Sequence, residues 1–210
     1  MNWRRYIVFL PSIGFGLASI IWLSFRPFPY ERQVGLAGIT LLTVLLIGGL
    51  LGGAWLLEKT LPSFRQASKL LERALGQFNI TLPLAFGLAV LSSVAEELFF
   101  RGALLPLIGV WGQALLFALM HPAPRKAWSY TVFTGVAGLA FGYATLYSGS
   151  LLPAIFAHFV INLQGFLELR RKAHQQKLRQ QTFSSFVPNI SASSNENEEW
   201  LNADQVRDKS

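Results

Sequence analysis

The sequence predicts an all-α, polytopic transmembrane helical bundle of about six membrane segments with one interfacial amphipathic helix. Hydrophobic residues fill 52% of the 210 positions and charged ones only 14%, where soluble domains carry roughly a quarter. The charges are also segregated, since long stretches between Tyr6 and Phe166 have none while the residues after Leu169 mix both signs densely. Several apolar runs are long enough to cross a hydrocarbon core of roughly 30 Å at about 1.5 Å per residue.

The first run, Tyr6 to Phe25, is followed by Arg26-Pro27 and contains Trp22 and Phe25 near its end, where a signal peptide would carry a small-residue cleavage site. A retained span is expected. The second, Val34 to Leu57, includes Gly48, Gly49, Gly52 and Gly53, a small-xxx-small face on which a neighbouring helix is expected to pack closely. Between Glu58 and Asn79, Leu61, Phe64, Leu71, Leu75 and Phe78 recur at helical intervals with Lys59, Arg65, Lys69 and Arg73 off the stripe. That pattern fits a cationic helix lying in the interface. Four further spans follow, Leu82 to Ile108, Trp111 to His121, Trp128 to Tyr147 and Leu151 to Leu169, of which the second is too short to cross alone.

With six passes, Arg4, Arg5, the basic residues of 59–73, Arg125, Lys126 and the cluster from Arg170 to Arg179 share one side, leaving Arg26 and Arg32 opposite. Both termini are therefore expected in the cytoplasm. The sequence divides into a transmembrane body at 1–169, a basic juxtamembrane segment at 170–182 and a tail at 183–210. The tail is too rich in Gln, Ser, Asn and Glu to offset chain entropy by burial and is expected to be disordered. The formal net charge of +7 sits beside apolar segments, which points to the lipid bilayer as partner and to no nucleic acid. With no cysteine in the chain, disulfides, thiolate metal sites and a cysteine nucleophile are excluded.

The chemistry is expected where polar residues enter the apolar spans. The third span holds Glu96, Glu97 and Arg101, each costing about 2.5–3.5 kcal/mol in hydrocarbon on insertion scales. Glu97 and Arg101 are four apart in the favourable order and can pair on one helix face. Glu96 points about 100° away and has no local cation, which suits it to exchange a proton with a water. Phe117 and His121 end the fourth span, and His158 and Asn162 lie in the sixth, each pair spaced to share a helix face. If the chain turns over Gly109 to Gly112, Glu96 lies about 18 Å and His121 about 14 Å from the turn, at similar depth. His158 falls about 11 Å below Leu151 with Asn162 one turn deeper. Four polar side chains from three helices could thus ring one cavity.

In that order, Glu96-Glu97-x-x-x-Arg101, Phe117-x-x-x-His121 and His158-x-x-x-Asn162 resemble the three signatures of the CAAX prenyl protease and bacteriocin-processing family of intramembrane endopeptidases. The resemblance covers about Leu82 to Phe166, making 82–166 the protease-like core, although the stretch from Arg101 to Phe117 is short for the family. It implies hydrolysis of a peptide bond in a peptide or membrane-protein substrate. Glu96 would be the general base, activating water together with His121, while His158 and Asn162 would hold the oxyanion. Glu97 and Arg101 would fix the helix face bearing Glu96, and Phe117 would pack on His121. The family has also been read as metal-dependent, and Glu96, His121 and His158 could bind Zn2+ with an open position for water. The His-Glu-x-x-His helix of many zinc peptidases is missing, so a metal-free site is favoured and zinc stays open. Two other classes use the same cluster: a non-catalytic membrane adaptor or bacteriocin-immunity-type binding protein, and a transporter or proton channel. Transport folds bring matched repeats, and none is found.

Overall fold

A computed structural model of the chain describes residues 9–76 and 80–186, and every regular element among them is helical. In order they are α1 (Leu10–Phe25), α2 (Leu36–Thr60), α3 (Pro62–Gly76), α4 (Leu82–Glu97), a π-helical segment (Leu98–Leu104), α5 (Leu105–Leu119), α6 (Trp128–Ser148) and α7 (Leu152–Phe186). Pro11, Pro62, Pro83 and Pro153 each stand in a first turn, where a missing N–H removes no hydrogen bond. Leu61 is extended before Pro62 and separates α2 from α3. Glu58 and Lys59, expected to open the amphipathic stretch, therefore close α2 instead.

The run Leu82–Leu119 is apolar throughout, yet Gly109 breaks it with φ 71° and ψ 177°. That backbone region is open essentially to glycine alone, and the turn expected over Gly109 to Gly112 occurs at its first residue. This reversal sets the short fourth segment against α6. Gly149, at φ +61°, closes the turn between α6 and α7, and a Cβ there would lie on the Glu31 carbonyl. The loop after α1 is pinned at that point by Gln33 N–H donating to the Ser148 carbonyl (2.8 Å).

The packing inverts the soluble pattern. Leu41, Val44, Leu45, Trp55, Leu115 and Val132 are more than half exposed, whereas Glu97, Arg101, Gln113 and Thr145 are wholly buried. Lipid accepts the first group, and each of the second keeps one buried polar atom without a hydrogen-bond partner. Leu36–Thr60, Leu82–Leu119 and Leu152–Arg179 are long and apolar enough to cross a membrane, and α1 is a shorter apolar helix. Helix α2 packs on α6 and α7 through Leu46, Ile47 and Leu50 against Phe133, Ala137, Phe141, Ala154 and Ala157. Its glycine face is not used as expected, because among the described residues a Cβ at Gly48, Gly49 or Gly52 would have no neighbour within 4 Å and one at Gly53 would meet Phe133. The bulky stripe offers the larger apolar area and takes the contact. Helix α3 inserts Phe64 against Phe133 and hydrogen-bonds Ser63 to Ser129 (2.7 Å), while Leu71 of the expected apolar stripe stays exposed.

The helical body forms a compact unit to Arg170, and α7 continues through the basic segment to Phe186. Of the tail expected to be disordered from Phe183, residues 183–186 instead continue α7, and Arg4, Arg5, Phe78 and residues 187–210 lie outside the described residues.

Candidate active site

The polar cluster is built around the end of α4, where the helix widens into π geometry immediately after Glu97. Insertions of this kind recur at functional sites because they re-aim adjacent side chains. Glu97 and Arg101 pair across the junction, with Nη1 donating to Oε1 at 2.9 Å, both side chains fully buried. The guanidinium lies 4.5 Å from the Phe117 ring centroid and 5.1 Å from that of Phe141, positions in which ring quadrupoles attract a cation. Its Nη2 donates to the Gly138 carbonyl (3.3 Å), which also accepts from Gln113 Nε2 (2.9 Å).

Glu97 has a further partner that its spacing did not reveal. His158 Nδ1 lies 2.7 Å from the same Oε1 that takes the Arg101 hydrogen bond. An oxygen accepting from arginine is a carboxylate acceptor, so the imidazole proton sits on Nδ1. Phe141 stacks on this ring at 5.4 Å and 20°. The Nε2 edge is thereby turned toward Glu96 Oε2, 4.0 Å away.

His121 reaches the same oxygen from elsewhere. The fourth segment ends at Leu119, so His121 does not continue a helix face from Phe117 as its spacing implied. Pro122 follows it, and a residue before proline avoids the helical region. The ring folds back, Nδ1 donating to the Phe117 carbonyl at 2.8 Å and meeting an otherwise orphaned helix-end acceptor. Phe117 packs on it at 4.6 Å. A carbonyl can only accept, so this ring too carries its proton on Nδ1. Its Nε2 lies 3.7 Å from Glu96 Oε2. Thr131 Oγ1 donates to the His121 carbonyl and accepts from Ala123 N–H, both at 3.1 Å, fixing the loop.

Two imidazole Nε2 atoms thus face one carboxylate oxygen, and Oε2 of Glu96 is buried without a hydrogen-bond partner from the protein. A hydrogen-bearing species between them can donate to the Glu96 oxygen and to an Nε2 that carries no proton. Separations of 3.7 and 4.0 Å let one water hydrogen-bond to both sides at about 2.7–3.0 Å. Zinc bonds of about 2.0–2.2 Å at tetrahedral angles put ligand atoms about 3.3 Å apart. The donor chemistry of Glu96, His121 and His158 suits a metal, and the two separations from Glu96, 3.7 and 4.0 Å, are wider than that value. Among the described residues no trio of His, Cys, Asp or Glu is arranged to hold an ion.

Asn162 is one turn further along α7, where Nδ2 donates to Ser92 Oγ at 2.9 Å. Ser92 precedes Glu96 by four residues on α4, so this bond ties the two helices beneath the cluster. Ser92, Gln113, Phe141 and Thr131 were not singled out by sequence reasoning. Gln113 was detectable as a lone amide in an apolar run, whereas the others look ordinary until the helices are assembled.

Residues 78–164 match the family model described as type II CAAX prenyl endopeptidase, Rce1-like. The chain is also 29% identical over 101 residues to the uncharacterized protein YpbD of Bacillus subtilis (strain 168), covering 46% of this chain and 53% of that one. It therefore spans about half the length of the curated relative it matches. No solved structure matches. The family read from the three motifs is thus the one whose model residues 78–164 match, and three helices among the described residues are long and apolar enough to cross a membrane.

Proposed function

We propose, from the Rce1-like match over residues 78–164, that the chain is an intramembrane endopeptidase that cleaves a peptide bond with a water activated by Glu96 and His121. The observation that carries this reading is the buried Glu96 Oε2, without a protein hydrogen-bond partner, facing the Nε2 atoms of His121 and His158. A water donating one hydrogen to Glu96 and the other to His121 would present its lone pair to a substrate carbonyl. Glu96 takes the proton as the oxygen attacks and returns it to the leaving amine. A proton on both nitrogens of His158 gives Nε2 a hydrogen for the oxyanion, with the Glu97 carboxylate at Nδ1 as counter-charge. The second N–H of Asn162, not engaged by Ser92, is the other donor. The substrate is a peptide or membrane protein presented within the bilayer, and no metal step is invoked.

Comparing membrane proteomes of a Glu96→Gln strain and wild type tests this. An uncut protein accumulating in the variant is expected. Full complementation by Glu96→Gln, with the variant inserted normally, would instead leave a binding adaptor. Loss of cleavage on chelation with recovery on zinc would replace the metal-free mechanism.

Both termini are proposed to be cytoplasmic, with the 26–34 loop opposite. Cysteines introduced at Gln33 and Ser194 of the cysteine-free chain should be blocked from outside at Gln33 alone, and the reverse would invert the assignment.

A further inference from the structure

A concavity of about 250 Å3 lies between α3 and the loop that carries His121 into α6. Phe64, Ala67 and Leu71 wall it from α3, Pro122 and Pro124 from the loop, and Tyr130 from the first turn of α6. The polar side chains in the lining are those of Ser68 and Tyr130, and Ser68 Oγ donates to the Phe64 carbonyl. The Tyr130 hydroxyl has no hydrogen-bond partner among the described residues.

This groove and the candidate active site share a wall. Pro122 and Ala123 follow His121 directly, and Thr131 Oγ1 fixes that stretch by donating to the His121 carbonyl and accepting from Ala123 N–H, both at 3.1 Å. Tyr130, next to Thr131, stands near enough to Glu96 for the carboxylate charge to act on its phenol. From the other side its ring meets Phe64 at 6.5 Å, and Phe64 is buried edge-on against Phe133 at 5.4 Å.

We propose that the groove is the subsite for an apolar side chain of the substrate beside the bond being cleaved, with Tyr130 holding the substrate backbone at its entrance. This rests on the peptidase reading above and adds to it the class of residue that the site selects. A charged or amide side chain would find few partners in such a lining and would lose its hydration on entry. The volume is below the roughly 300–1,000 Å3 of pockets that enclose a whole small molecule, so it takes one part of a larger ligand. A peptide reaching Glu96 brings N–H and C=O groups that need partners inside an apolar body, and a phenol hydroxyl can both donate and accept. The walls are fixed, since Ser63 Oγ bonds Ser129 Oγ at 2.7 Å and Thr131 clamps the loop, which favours selection by size over adaptation.

The full chain in detergent is given synthetic peptides varied at every position of a central apolar run, and the cleaved bonds are mapped by mass spectrometry. Wild type should prefer Leu, Met or Phe over Gly at one position beside the bond by about tenfold or more, the discrimination an apolar pocket exerts on a methylene or two. Ala67→Trp fills the groove from α3 and should reverse that preference toward Gly and Ala, and Ala67→Leu should do so in part. Tyr130→Phe keeps the ring and should raise KM by about 2–12-fold with kcat unchanged. A residue that merely supported the fold would lower cleavage of all peptides alike. Wild-type cleavage without side-chain preference, or a preference that survives both Ala67 substitutions, would overturn the subsite while leaving the peptidase reading intact. A fall in kcat alone in Tyr130→Phe would remove Tyr130 from substrate binding. No cleavage of any peptide by wild type would overturn the subsite together with the reading it rests on.

Discussion

The two sides of the α4 terminus carry the same chemical group in opposite conditions. Glu97 is wholly buried, and one of its oxygens serves both Arg101 and His158. Glu96, adjacent in sequence, keeps 12% of its side chain exposed, and its Oε2 faces two imidazoles at distances too long for direct hydrogen bonds. A rotation of about 100° between neighbouring residues separates a carboxylate whose Oε1 holds an arginine and an imidazole from one that faces two imidazoles without bonding either, and Oε2 of each is buried without a hydrogen-bond partner.

The contrast is broken most directly at Glu96. Glu96→Gln keeps volume and removes the base, so cleavage should fall by about 10²–10⁴-fold while thermal unfolding in detergent stays near wild type. Equal loss of stability and activity would exchange the roles of the two glutamates. On the other side, Arg101→Leu strands Glu97 and should destabilise the fold by about 3–5 kcal/mol. The Glu97→Gln, Arg101→Leu double variant should recover part of that in unfolding measurements. An additive double variant would mean that the pair does not act as one unit.

Two smaller effects sharpen the same comparison. Gly149→Ala forces a side chain into a left-handed turn already occupied by the Glu31 carbonyl and should cost about 1–3 kcal/mol in unfolding with little change in cleavage per folded molecule. Ser92→Ala removes the Asn162 anchor, an effect of about 0.5–1.5 kcal/mol on stability. Its larger signature should be a lower kcat at unchanged KM, because a loosened Asn162 is a poorer oxyanion donor. A KM effect alone would place Asn162 in substrate binding.

Much of this was legible in one dimension. Helix starts fall near their expected places because proline and apolar periodicity act locally, whereas α7 runs past its expected end at Leu169 to Phe186, and the Gly109 reversal follows from a residue that alone tolerates its backbone angles. The Glu97–Arg101 pair follows from i,i+4 spacing. The glycine face of α2 misled, since a small-residue pattern states what can approach closely and not which face wins the contact. His121 misled too, its spacing from Phe117 suggesting a helix that Pro122 stops.

The sequence by itself determined the class of the molecule and marked the ionisable members of the polar cluster, because charges in hydrocarbon are costly enough to mark themselves wherever they occur. Only the tertiary structure decided how the cluster is wired. The direction of each imidazole depends on which acceptor meets its Nδ1, the Glu97 carboxylate for His158 and the Phe117 carbonyl for His121. The Glu97–His158 contact joins residues 61 positions apart, and helix periodicity carries no information about a separation that packing alone closes.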